Sequence, residues 1–145
     1  MLKSIATIAI SIAVAAMALF ATLMPASAAE CKKYEYTVPA GVTLLGEKEL
    51  LATFTGNTLD AFSGGGYMRY FDPNGTTIFQ FTSNRRTTHG KWRVCGEVLV
   101  MDHTENPFGK ILERLVSDAG NGKFSLYDLS GKHLATRPVV KGKGF

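Results

Sequence analysis

The stretch Tyr67–Cys95, YMRYFDPNGTTIFQFTSNRRTTHGKWRVC, decides the fold. Two alternating runs, Tyr67–Phe71 and Thr76–Thr82, flank Asp72-Pro73-Asn74-Gly75. Asn-Gly between strand-like runs is a strong hairpin signal, because both residues enter positive φ at low cost. Gly90-Lys91-Trp92-Arg93-Val94-Cys95 then sets the only tryptophan and one of two cysteines on a third strand. The expectation is a three-strand meander with an aromatic face.

Before this stretch, Thr58–Phe62 also alternates with period two, and Ser63-Gly64-Gly65-Gly66 turns the chain toward Tyr67. The glycine run lacks the Lys-Ser/Thr and the following helix of a phosphate loop, so it reads as a turn. Glu47–Phe54, EKELLATF, is predicted as a short helix. Its first-turn acids complement the helix dipole, Leu50, Leu51 and Phe54 share a face, and Gly56 is placed to end it. Tyr34–Val38 alternates up to Pro39, as a short edge strand or an extended arm would.

After it, Val98–Met101 is an apolar strand behind a Gly96-Glu97 turn. Lys110–Ser117 fits a strand or one and a half helical turns, and strand is preferred since Gly109 and the turn residues 118–122 bracket it tightly. Lys123–Asp128 and Lys132–Arg137 flank Ser130-Gly131, and Pro138 is read as opening a basic tail that ends VVKGKGF. The sum is a mainly β chain of about seven short strands. It forms a single curved antiparallel meander or small up-and-down barrel, with the one helix plugging an end.

Residues 1–29 have the pattern of a signal peptide: Lys3, an apolar run Ile5–Met24, Pro25, and the small residues Ala26-Ser27-Ala28-Ala29. The alternative is an uncleaved anchor, because the apolar run is long enough to span a bilayer. Cleavage leaves one β-rich domain, 30–137, and the tail 138–145, with no stable membrane insertion and a periplasmic or secreted address. Two cysteines in an exported chain then point to a Cys31–Cys95 disulfide, worth about 4 kcal/mol in the chain-entropy model. Two buried thiols are the competing reading.

The formal net charge of +4 is mild. Its basic residues are scattered apart from Arg85-Arg86 and Lys141/Lys143, so no nucleic-acid partner is expected. His89, His103 and His133 show no metal-ligand spacing, and neither a metal nor a cofactor is expected. Asp102-His103-Thr104-Glu105 is the densest polar cluster and reads as a hydrophilic loop. No serine lies in a G-x-S-x-G elbow; Ser63 and Ser130 are turn formers, and Glu47 and Glu49 are helix-start acids.

Gly56-Asn57-Thr58, Tyr70-Phe71-Asp72-Pro73-Asn74-Gly75 and Gly90-Lys91-Trp92, followed by Cys95 and a Lys141-Gly142-Lys143-Gly144 close, form an ordered set. This set resembles small exported bacterial proteins of unknown function that carry GNT, Y-x-x-D-G and G-x-W motifs. The resemblance implies a periplasmic address and a β-rich fold, and brings no activity with it. The G-x-W element is also similar to one in lipocalin-like barrels, where it lies on the first strand; here it lies mid-chain.

Tyr67, Phe79, Phe81 and Trp92 are the candidates to line a cavity for a small apolar ligand, against a plain core reading. Arg69 and Arg93 are expected to face outward and form an anion, glycan or protein contact surface, against a plain solvated face. The leading expectation is a non-enzymatic domain that binds an envelope component or protein partner. The alternatives are a lipocalin-like carrier and, third, a hydrolase acting through Asp102, His103 or Glu105.

Overall fold

Two side chains build the Asp72–Gly75 turn by bonding forward along the chain. Asp72 Oδ1 accepts the Asn74 N–H at 3.0 Å, and Asn74 Oδ1 accepts the Thr76 N–H at 2.8 Å. The Gly75 N–H reaches back to the Asp72 carbonyl at 3.0 Å, and Gly75 takes φ of 87°. Asn74 keeps negative φ, so the turn is not the two-residue type expected for Asn-Gly. That type occurs instead at Asn121-Gly122, where φ is 53° and 70°. In both places the turn residues set the register of the strands beside them.

The computed structural model describes residues 31–62, 66–104 and 109–145. The predicted signal segment 1–29, Ser63-Gly64-Gly65 and Glu105 lie outside them. The elements are α1 (Glu47–Phe54), β1 (Asn57–Ala61), β2 (Tyr67–Phe71), β3 (Thr76–Phe81), β4 (Thr87–Cys95), β5 (Val98–Asp102), β6 (Ile111–Gly120), β7 (Lys123–Tyr127) and β8 (His133–Lys141). Each strand pairs antiparallel with the next, and β8 pairs with β1, giving a closed eight-stranded up-and-down barrel. The mainly β fold with one short helix is as the sequence predicts. Tyr34–Val38 is an extended arm and not a strand.

Eight strands form where about seven were expected, and the last, β8, does not stop before Pro138. It runs on to Lys141, and its last residues close the barrel through Thr58↔Val140 and Leu59↔Val139. Proline removes one ladder donor, but the next residue restores the pairing: the Val139 N–H donates to the Gly122 carbonyl at 3.0 Å. What reads as a basic tail therefore begins as the closing strand.

The barrel is filled from one end. Leu50 and Phe54 of α1 are fully buried and pack with Leu59, Phe71, Trp92, Leu99, Val116 and Leu126. Phe54 meets Phe71 at 4.9 Å between ring centroids, and Phe71 meets Trp92 edge-on at 5.3 Å. The Trp92 indole N–H donates to the Asp72 carbonyl at 2.8 Å, tying the turn to the plugged end.

A second apolar cluster lies outside the barrel. Tyr34, Tyr36, Val42 and Leu44 of the arm cover Cys95, Val98, Val100, Leu115 and Tyr127. Backbone bonds pin the arm at Thr37 N–H to the Leu129 carbonyl, 2.9 Å, and Leu45 N–H to the Val116 carbonyl, 2.8 Å. This explains the unbroken apolar run Val98–Met101: both faces of β5 are buried, one in the barrel and one under the arm. The Cys31–Cys95 disulfide fastens the start of the arm, with Cα atoms 5.6 Å apart. Lys32 adds an ion pair to Glu113 at 3.0 Å, and the Tyr36 hydroxyl donates to the Glu97 carboxylate. Among the described residues, no helix is long and apolar enough to cross a membrane.

Candidate functional site

The connections β1–β2, β3–β4, β5–β6 and β7–β8 return at the end of the barrel away from α1. At that end the interior changes character. Side chains on a strand alternate between faces, so Tyr67, Arg69 and Phe71 all share one face of β2. Phe71 is fully buried inside the barrel, which sends Arg69 inward with it. Arg69 is only 3 % exposed. The expected outward position of Arg69 is therefore wrong, because its parity matches the aromatic residues and does not alternate with them. Arg93, adjacent to inward-facing Trp92, is on the outer face as expected. One member of the proposed basic surface is thus inside the barrel and the other outside.

Tyr67, Phe79 and Phe81 come together around Arg69. Tyr67 stacks on Phe79 at 4.6 Å and Phe81 meets Phe79 edge-on at 4.8 Å. The guanidinium carbon lies 5.4 Å from the Tyr67 ring centre and 5.0 Å from that of Phe79. One terminal nitrogen, Nη1, donates to the sulphur of Met101, while the buried Nε–H meets no hydrogen-bond partner among the described residues. Trp92 does not join this group; it packs toward α1 with Phe71. The four aromatic residues expected to line one cavity are divided between a core and a mouth.

His103 enters the same space from the end of β5, 4 % exposed, with its ring 6.0 Å from that of Phe79. Its place is made by Gly90. A Cβ there would come within 2.6 Å of both His103 Nδ1 and the Asp102 carbonyl oxygen. Burial, reinforced by the Arg69 charge, lowers the His103 pKa to about 4 against the opposing pull of Asp102, so the ring is neutral at pH 7. Burial also lowers Arg69, to about 10, which leaves it protonated. Arg114, paired across from inward-facing Leu99, adds a second half-buried guanidinium at this end, lowered by burial. A cavity of about 120 Å³ remains among Arg69, Phe79, His103, Lys110 and Leu112.

Asp102 and His103, adjacent in sequence, point to opposite faces of the wall. Asp102 lies outside, where its carboxylate accepts from the Thr104 hydroxyl at 2.7 Å and backbone N–H at 2.9 Å. These bonds hold its pKa below the usual carboxylate value. The two residues therefore form no acid–base dyad. Among the described residues, no three His, Cys, Asp or Glu side chains gather as a metal site would require. Reading the residues by sequence missed His103, Lys110 and Leu112 as neighbours of Phe79. The available signal was the parity of Arg69 with Tyr67 and Phe71. No family model, curated protein or solved structure shows a significant match to this chain.

Proposed function

We propose that the protein is a non-enzymatic, exported barrel that binds a small molecule at the end opposite α1. The observation that carries this reading is the cavity beside a buried, incompletely bonded Arg69 in a barrel whose other end is packed solid. Buried polar groups in folded proteins are nearly always bonded, so such a group beside a cavity marks a place for a ligand. Export is supported by the signal-like residues 1–29 and by the disulfide, a bond that persists in oxidising compartments. A partner-binding outer face has less support, because it relied on Arg69 pointing outward.

Native mass spectrometry of protein recovered from the periplasm of an expressing cell tests this. A discrete extra mass removed by gentle activation supports a carried molecule. A bare chain that also takes up nothing from a small-molecule library overturns the reading. The same spectrum reports the signal cleavage site.

A further inference from the structure

We infer that the molecule held at this end is an organic carboxylate with a short apolar body, its carboxylate paired to Arg69. This rests on the small-molecule reading above and names the chemistry of the same site.

The argument begins with charge. A buried cation is stable only if something compensates it, and burying one alone is strongly unfavourable. Asp and Glu side chains usually supply that compensation, yet among the described residues none does so for Arg69. Among the described residues, the groups whose charge acts on Arg69 are Tyr67 and Arg114, the second of the same sign. The Lys32–Glu113 ion pair lies outside the barrel. Ring faces of Tyr67 and Phe79 attract the guanidinium but carry no net charge to neutralise it. Neutral His103 adds no countercharge. Lys110 and Arg114 extend the positive potential toward the mouth. The missing component is an anion.

Shape and wall chemistry narrow the anion. A guanidinium presents parallel N–H groups matched to the two oxygens of a carboxylate. Beyond the guanidinium the walls are carbon, from the Phe79 ring and the Leu112 side chain. They suit an apolar body better than a fully hydrated inorganic ion. Size sets the scale of the part held inside: a cavity of about 150 Å³ holds one benzene ring. The space here, about 120 Å³, admits a carboxylate and the first few carbons behind it. The buried Thr88 hydroxyl also lacks a partner among the described residues, and Thr88 is directly across from Phe79 in the ladder.

The test is an NMR titration of the signal-cleaved chain at constant ionic strength with sodium butyrate, 1-butanol and inorganic phosphate. The Arg69 Nε–H resonance, assigned by its loss in Arg69→Lys, is the readout. Butyrate is expected to shift it saturably, while 1-butanol at the same concentrations leaves it in place. Arg69→Lys keeps the charge but loses the planar fork, and butyrate affinity, read from the cavity amides, should fall about ten- to hundredfold. Arg69→Met should abolish butyrate binding; if that variant fails to fold, the lysine variant carries the comparison. Equal binding of butyrate and 1-butanol would overturn the carboxylate and leave the small-molecule reading standing. Phosphate binding more tightly than butyrate would overturn it in favour of a tetrahedral anion. No response to any of the three would overturn the inference, and the native mass would then decide the broader reading.

Discussion

Gly90 and His103 share one place in the barrel wall, and each depends on the other. The glycine leaves a gap in β4 that the imidazole ring fills, so the ring lies against bare backbone. Gly90→Ala forces its new methyl onto the Asp102 carbonyl and the ring at 2.6 Å, and the backbone oxygen cannot step aside. The expected result is a loss of about 1–3 kcal/mol, as for other overpacked sites, read as a lower urea midpoint at unchanged slope. His103 carries a pH signature. Its folded pKa of about 4 lies below the unfolded value near 6.5, so the unfolded chain takes up a proton that the folded chain refuses. The stability this gives is complete above about pH 6.5 and declines as pH falls through that value toward about 4. Urea midpoints measured from pH 7.5 to 4 should drop across this window, and His103→Gln should flatten that part of the slope. The cluster around His103 was poorly legible in the sequence. Asp102-His103-Thr104 reads as a polar loop because adjacency in sequence does not say which face of the wall each side chain takes.

At the scale of elements, α1 is the plug that the helix-like pattern of Glu47–Phe54 announces. Leu50 and Phe54 are four apart, so they leave the helix on one side and enter the barrel together. Phe54→Ala removes a fully buried ring that packs on Phe71 and Phe124, and should cost about 3–5 kcal/mol by equilibrium unfolding. Lys48→Ala, on the exposed side of the same helix, should stay within about 0.5 kcal/mol. The strands from β1 to β7 were also legible, because turn residues bracket most of them and several alternate with period two. The closing strand was legible as Lys132–Arg137, but its continuation was not. Pro138 looks like a terminator in isolation, and only the pairing of Val139 and Val140 with β1 shows that the strand continues past it. The arm was legible as an extended segment, but its packing face was not, since the cluster it covers is built from β4, β5, β6 and β7, far away in sequence.

For the whole molecule, the disulfide and the arm act together on the outer wall. Cys31–Cys95 spans 64 residues of sequence and fastens the covering of a cluster that the barrel interior cannot bury. Replacing both cysteines with serine should cost about 4 kcal/mol, seen as a lower urea midpoint than that of the oxidised chain. Hydrogen exchange should speed up at amides of residues 31–45 and on the outer faces of β5 and β6. Amides facing Leu59, Phe71 and Leu126 should change least, because eight paired strands close the barrel without the arm. Uniform acceleration throughout would mean that arm and barrel unfold as one unit.

The sequence by itself determined the local structure: one helix, most of the strands, and where the chain turns between them. These follow from periodicity and turn chemistry, which act over a few residues. Only the tertiary structure decided that the meander closes, that the arm covers β5, and that Arg69 enters the barrel beside Phe79 and His103. The inward side of a strand is set by which neighbours it meets across the ladder. For Arg69 those neighbours are Leu59 and Phe79, one an inside residue of β1 and the other of β3. A buried guanidinium without a countercharge among the described residues therefore arises from the place of β2 between β1 and β3.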